Sequence, residues 1–271
     1  MRFTLLSYNI ERGFHSREHV LEEKRLLAAK RVVAEVKPDI VALTEACYGR
    51  KNAQGILMDY KALFGFEYGM FGGFNIFGPN KSDEGGNCLL SNFPMQAEAV
   101  TLAYKGAVRG RIQLDELEDK VLMIDVVHPS YSVADADKIS TLRPLVESRC
   151  EPYILTGDFN TVHPDDRYDW DAVRAGLMKF NAEKADSVVK NWQYPELVPW
   201  LFGQGLADAF AVSRREATVP TPYGSDHWPA GVRMDFFFHS QGIRVVDAYV
   251  LKNKDTEIAS DHYPIVGVFE V

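Results

Sequence analysis

Long apolar runs are missing from this 271-residue chain. No stretch approaches the roughly 20 residues that a helix needs to cross a bilayer, so a membrane-embedded class is excluded. Cysteine is scarce. Cys47, Cys88 and Cys150 are scattered with no Cys-x-x-Cys pair, which argues against a disulfide framework and against zinc held by thiolates. Three reduced thiols in a reducing compartment are expected. The N-terminal Met1-Arg2-Phe3-Thr4-Leu5-Leu6 lacks a leader pattern, and the expected location is cytoplasmic. An excess of positive charge is also lacking: 30 Lys+Arg against 38 Asp+Glu leave a net charge of −8. A protein held on nucleic acid mainly by its own net charge is disfavoured. Bound cations can reverse that field locally, so a phosphate substrate stays open. No fixed-period repeat, low-complexity segment or Pro/Gly/Ser linker divides the chain, and residues 1–271 read as one domain.

What is present is a composition 46% hydrophobic and 25% charged, enough to offset ordering entropy by burying a core. Residues 3–9 read as an apolar strand that starts the fold. From His19 to Val36, the residues Leu26, Ala29, Val33 and Val36 recur at helical spacing. Pro38-Asp39 ends that helix and Ile40–Leu43 begins a buried strand. Gly-rich loops are expected over 65–86, then a strand near Asn87–Ser91. Residues 109–116 and 120–127 form a hairpin around Glu118-Asp119. A helix follows over 135–149, with Pro144 as a kink or as its true start. Tyr153–Thr156 is a short buried strand, and 165–210 is helical and loop-rich, anchored by Trp170, Trp192 and Trp200. Met234–His239, Val245–Leu251 and Ile265–Val271 supply the last strands. The pattern predicts an α/β fold of two packed, mostly antiparallel β-sheets flanked by helices.

Five places break the expectation that buried strands end in neutral turn residues. Asn9 and Glu11 close the first strand two residues apart, hence on one face. Glu45 follows Ile40–Thr44. Asp158 and Asn160 share a face in Thr156-Gly157-Asp158-Phe159-Asn160. Asp235 interrupts Met234-Asp235-Phe236-Phe237-Phe238, and Asp261-His262 precedes the final strand. Each acid alone has a plainer reading; Asp158 can cap a turn and Asn9 can form one. As a set they are costly, because a buried carboxylate costs several kcal/mol, as an order of magnitude, unless paired or metal-bound. A divalent cation accounts for the set, and oxygen-only ligands favour Mg²⁺ or Mn²⁺ over zinc.

These motifs resemble the endonuclease/exonuclease/phosphatase superfamily, which includes pancreatic-type deoxyribonucleases, abasic-site endonucleases, sphingomyelinases, inositol-polyphosphate 5-phosphatases and deadenylases. The resemblance is carried by Ser7-Tyr8-Asn9-Ile10-Glu11, Leu43-Thr44-Glu45-Ala46, Asp125-Val126-Val127-His128 and Gly157-Asp158-Phe159-Asn160. Arg233-Met234-Asp235-Phe236-Phe237-Phe238 and Ser260-Asp261-His262-Tyr263-Pro264-Ile265 complete it. It spans essentially the whole chain. Thr44 departs from the Gln that many members carry before the Glu. A second Ser225-Asp226-His227 precedes the Asp235 strand rather than following it, so Asp261-His262 is taken as the functional pair.

The resemblance implies a four-layer, deoxyribonuclease-I-like sandwich and metal-assisted hydrolysis of a phosphate ester by direct attack of water. It implies Glu45 as the first Mg²⁺ ligand, with Asn9, Glu11 and Asp261 nearby. Where Glu11 stands, some members have Asp. His262, oriented by Asp235, is either a general base or a cationic clamp on the phosphate. Asp158 is the competing base, Asn160 holds the phosphate or the water, and His128 contacts the phosphate or protonates the leaving group. Arg109 and Arg111 read equally as phosphate contacts or solvated strand residues. His15 and His19 reach the cleft rim or, more simply, lie on the surface.

Substrate is less legible than reaction type. Cations such as Lys81, Lys105 and Arg109 are isolated, which lowers the case for a long duplex. Loop aromatics (Phe14, Tyr48, Phe71, Phe74, Phe77, Tyr168, Trp170, Tyr223 and Trp228) either stack bases or anchor loops. The first expectation is a phosphodiesterase or nuclease acting on nucleic acid, a nucleotide or a small diester. The alternatives are a phosphomonoesterase of a sugar or inositol phosphate, a lipid phosphodiesterase, and a binding module that has lost catalysis. No membrane contact and no protein partner are expected.

Overall fold

The computed structural model describes residues 1–18, 20–47, 59–72, 86–103, 105–115, 120–225 and 230–271, the side chains of residues 115 and 180 excepted. Its elements begin with β1 (Arg2–Asn9), α1 (Glu23–Val36), β2 (Ile40–Ala46), α2 (Tyr60–Phe64), β3 (Tyr68–Gly72) and β4 (Gly86–Ser91). Next come β5 (Met95–Val100), β6 (Ala107–Asp115), β7 (Lys120–Val127), α3 (Asp135–Glu147), β8 (Tyr153–Asp158) and α4 (Trp170–Gln193). The chain ends with α5 (Leu197–Gly203), β9 (Ala207–Asp208), β10 (Asp235–His239), β11 (Arg244–Val250), α6 (Thr256–Ala259) and β12 (Ile265–Glu270).

Among the described residues the strands make two six-stranded sheets, ordered β11-β12-β1-β2-β4-β3 and β5-β6-β7-β8-β10-β9. One pair in each is parallel, β1 with β2 and β7 with β8. The other pairs are antiparallel. The central strands are apolar on both faces because both faces are covered. Phe3 and Leu5 of β1 point between the sheets and meet Ile124, Ile154 and Phe237 of the other sheet. The alternate Leu6 and Tyr8 point outward onto Ala28, Ala29 and Val33 of α1. On the second sheet Tyr153 and Leu155 pack outward against Leu142 and Leu145 of α3 and Leu197 and Leu201 of α5. The result is helix, sheet, sheet, helix. Each buried Leu or Phe contributes about 1.5–3 kcal/mol.

The topology places one end of both sheets together. β1, β2, β7 and β8 finish there. β10 and β12 run antiparallel to β8 and β1 and so begin there, with Asp235 level with Asp158 and Ile265 level with Ser7. This arrangement gathers Asn9, Glu45, His128, Asp158, Asp235 and Asp261-His262, although they are far apart in sequence.

Three features differ from the sequence expectation. β3 lies inside the stretch read as loops, and its Gly69 and Gly72 hide the strand pattern; residues 73–85 of that stretch lie outside the described residues. β5 is a second unforeseen strand, at a sheet edge, with Gln96 and Glu98 exposed. α3 runs through Pro144 instead of starting there; the proline leaves only the carbonyl of exposed Ser140 without its helical donor, and water can supply one. The Glu118-Asp119 turn lies outside the described residues, while the hairpin of β6 and β7 is formed.

Two buried ionic clusters brace the site end. Arg109 forks onto Asp125 at 2.8 and 2.7 Å, and Tyr153 donates to the same carboxylate at 2.8 Å. Arg109 is therefore neither a phosphate contact nor a solvated residue, whereas Arg111 is exposed. The second cluster ties the loop leaving β8 to the strand entering β10. Arg233, fully buried, reaches Asp166 and Asp208, both at 2.9 Å, and Arg215 lies 3.7 Å from each acid. His163 sits against this cluster, and its Nδ1 accepts from the backbone N–H of Asp165 at 3.1 Å. Burial, then Arg215 and Arg233, lower its pKa against the opposing pull of Asp166 and Asp208; Asp165 is also near, at 3.9 Å.

A histidine whose folded pKa is lowered costs stability as pH falls through its unfolded value of about 6.5, because the unfolded chain protonates first. The wild type is thus expected to lose stability relative to His163→Gln from about pH 6.5 downward, with no such divergence above about pH 7.5. Urea denaturation across pH 5–8 checks this, and parallel curves would contradict it.

Candidate active site

Backbone geometry aims the acids before any side-chain contact does. The pairing of β2 with β4 shifts between Leu43 and Ala46, and Glu45 at that bulge takes φ 54°. A bulge removes a residue from the ladder and turns its side chain. Glu11 (φ 35°) and Asn160 (φ 48°) are also left-handed, a conformation that costs of order 1–3 kcal/mol per residue and is concentrated at functional sites. β1 ends at Asn9, so the two-residue alternation expected to put Asn9 and Glu11 on one face does not extend to Glu11. Gly157 is required where it stands: at φ 135° an added Cβ would lie 2.0 Å from the Val127 carbonyl oxygen.

Asp158 is at the centre. Its Oδ1 accepts from the Asn160 backbone N–H at 2.9 Å, closing an Asx-type turn. Its Oδ2 accepts from Asn9 Nδ2 at 3.1 Å and lies 3.4 Å from His128 Nε2 and 3.8 Å from His262 Nε2. Asp235 holds His262 Nδ1 at 2.8 Å, which leaves Nε2 as the nitrogen facing Asp158. Glu45 Oε1 is 3.8 Å from His128 Nε2 and 3.4 Å from Asn9 Nδ2, and its Oε2 accepts from the Arg12 N–H at 3.2 Å. Asn9 Oδ1 accepts from the Glu11 N–H at 3.0 Å. In this arrangement Asn9 presents its amino group to the acids.

The electrostatics separate the acids into two sets. Burial raises Asp158, but His128, His262 and the Asn160 N–H more than reverse it, and the carboxyl is held below its usual range. Glu45 is also lowered, as His128, Lys105 and His262 outweigh burial. Glu11 goes the other way: burial and then Asp261 push it up to about 7, against the pull of Arg25. Asp261 is raised by burial, and Glu45 adds to the rise. His262 is raised well above its ordinary value because Asp235 and Asp158 outweigh burial.

Glu11, Glu45 and Asp261 thus oppose one another's ionisation, which a divalent cation between them would relieve. All their donors are oxygen, a set that suits Mg²⁺ or Mn²⁺. Among the described residues no three His, Cys, Asp or Glu side chains form a ready-made cage.

Two buried cations outside the sequence-predicted set hold the loops. Arg25 donates to the carbonyls of Ala259 (2.9 Å), Ile10 (3.2 Å) and Glu11 (3.1 Å), and its Nη2 is 3.2 Å from Glu11 Oε2. It fastens the segment after Asn9 to the segment before Asp261. Lys138 Nζ donates to the Asn160 carbonyl at 2.6 Å and pairs with Asp135 at 3.0 Å, while Trp192 Nε1 reaches the same carbonyl at 3.0 Å. A signal for both existed in the sequence. Arg25 lies on the same helical stripe as Ala28, Ala29 and Val32, and Lys138 on that of Thr141, Leu142 and Leu145.

Among the other candidates, His15 is neither on the surface nor at the rim. It is buried, with Nδ1 against the Gly13 carbonyl at 2.8 Å. His19, Asp226-His227, Tyr48, Phe74, Phe77, Lys81 and Trp228 lie outside the described residues. Phe14 is core, Trp170 packs against α4 residues, and Tyr223 is partly exposed with Arg25 4.5 Å above its ring.

The model of the Endonuclease/Exonuclease/phosphatase family matches residues 6–262. The chain belongs to this family. The family's fold recurs in solved structures of low sequence identity. An endonuclease/exonuclease/phosphatase from Beutenbergia cavernae DSM 12333 is 18% identical with TM-score 0.69, the match covering 100% of this chain and 72% of that one. An AP endonuclease from Archaeoglobus fulgidus is 18% identical with TM-score 0.64, covering 99% of this chain and 100% of that one. The catalytic domain of human Nocturnin with a bound sulfate anion is 15% identical with TM-score 0.58, covering 99% and 93%. No curated protein matches the sequence significantly. The two-sheet sandwich expected from the strand pattern is the fold these structures share.

Arg25→Met would remove one donor from each of three carbonyls and the cation beside Glu11 and Glu22. It is expected to cost about 3–5 kcal/mol of stability, read as a lower urea midpoint with unchanged slope. An unchanged midpoint would show that the two segments hold together without it.

Proposed function

We propose that the protein is a Mg²⁺- or Mn²⁺-dependent phosphoesterase that hydrolyses its substrate by direct attack of water. We place it first as a phosphodiesterase or nuclease on nucleic acid, a nucleotide or another small diester, acting in the cytoplasm. The observation that carries this reading is the meeting of the His262–Asp235 pair, Asp158, Asn160 and His128 beside Glu45. Phosphoryl transfer needs an oriented nucleophile and neutralised oxygens more than covalent help, and these groups can supply both. Family membership supports phosphoester cleavage, and the likeness in fold to an AP endonuclease is in keeping with a nucleic-acid substrate.

Asp158 stays ionised, and its Oδ2 faces His128 and His262, so it orients the attacking water and accepts its proton. His262, kept protonated by Asp235, presents Nε2–H and a positive charge to a non-bridging oxygen. Asn160, pinned through its carbonyl by Lys138 and Trp192, fixes the turn that sets Asp158 in place. His128, whose Nε2 lies 3.4 Å from the same Asp158 oxygen that faces His262, donates to the leaving oxygen. Glu45, Asp261 and Glu11 would hold the metal ion, with Asn9 spacing Glu45 from Asp158. When bound, the ion polarises the phosphoryl oxygen and neutralises charge on the leaving group.

The test is hydrolysis of bis-p-nitrophenyl phosphate and p-nitrophenyl phosphate with Mg²⁺, Mn²⁺ or EDTA. Diester turnover that needs metal is expected, falling by about 10²–10⁴-fold in His262→Ala and Asp158→Asn. A preference for the monoester would replace the diester reading with a phosphomonoesterase. A wild type that cleaves neither ester and binds neither ion would overturn the enzyme assignment.

A further inference from the structure

Lys105 has no part in the chemistry above, yet it is at its centre. It lies just before β6, where the Gly106 carbonyl accepts from Asn87 Nδ2 at 3.0 Å and so fixes the backbone. Its Nζ is 3.3 Å from each ring nitrogen of His128. Among the described residues no carboxylate lies within ion-pair distance of it, although its charge and those of Glu45 and Asp158 act on one another. An ammonium carries three N–H donors, and an imidazole offers at most one lone pair. At least two donors therefore lack an acceptor in a half-buried position, an unfavourable arrangement unless a ligand supplies one. The anion that the reaction brings beside His128 and Asp158 is a phosphate group.

We propose that Lys105 is a substrate-contacting residue whose ammonium binds a non-bridging oxygen of the phosphate beside His128. This rests on the phosphoesterase reading. Lys105 and His262 then approach the phosphate on either side of Asp158, and the two cations offset the acids that would otherwise repel an anionic substrate. Lysine suits the task as a compact charge on a flexible stem, so arginine should substitute in part.

The experiment measures inorganic phosphate binding in Mg²⁺ by calorimetry, and KM and kcat on bis-p-nitrophenyl phosphate, for wild type, Lys105→Met and Lys105→Arg. Lys105→Met is expected to weaken phosphate binding and raise KM by about tenfold or more, the size of one charge-assisted hydrogen bond. Lys105→Arg should recover most of both, and all three proteins should melt within about 2 °C of one another. Equal phosphate affinity in wild type and Lys105→Met would overturn the proposal, as would a wild type that binds no phosphate. A wild type that binds phosphate but cleaves neither ester and binds neither Mg²⁺ nor Mn²⁺ would sink the phosphoesterase reading instead. The binding comparison would still decide the lysine.

Discussion

Carboxylates gathered in a largely buried place repel one another, and much of this structure is arranged to bear that repulsion. Asp158, Asp235, Glu45, Asp261 and Glu11 meet where the strand ends of the two sheets converge. The sandwich makes their convergence unavoidable, because β1, β2, β7 and β8 deliver their last residues where β10 and β12 deliver their first. Each acid then needs a cation. His262 serves Asp235 and Asp158, His128 serves Asp158 and Glu45, and Arg25 serves Glu11. The supply falls short on the side of Glu11 and Asp261, whose ionisation stays opposed. That deficit is the physical case for a metal ion.

Rigidity is provided from behind. Arg25 and Lys138 are buried on the apolar faces of α1 and α3 and spend their donors on loop carbonyls. The Arg109–Asp125 fork and the Arg233 cluster brace the strands one step further back. Left-handed backbone at Glu11, Glu45 and Asn160 is tolerated because these contacts over-determine it. Gly224 serves the same end by close approach, since a Cβ there would lie 2.5 Å from that of Asp261.

The sequence showed the sandwich because strands buried on both faces read as apolar runs, and it showed Asp235 because an acid inside Met234–Phe238 has no other reason to be there. The strands β3 and β5 were illegible: one is glycine-broken, and the other is a half-exposed edge whose short alternation is built largely of alanine. Loop geometry was illegible as well. Nothing in the spacing of Asn9 and Glu11 reveals that the strand stops between them. Arg109 looked free because its partner, Asp125, is a neighbour across two strands rather than along the chain. Lys105 left no local mark, since its neighbour His128 is brought near only by the pairing of β6 with β7.

The central claim is that the acids at the strand ends hold a divalent cation, with Glu45 foremost. Calorimetric titration of Mn²⁺ and Mg²⁺ into wild type and Glu45→Gln tests it most directly. The account predicts saturable binding to the wild type and a loss of at least about tenfold in affinity in the variant, with little change in melting temperature when metal is absent. Equal affinity in the two proteins, or no binding to either, would contradict it.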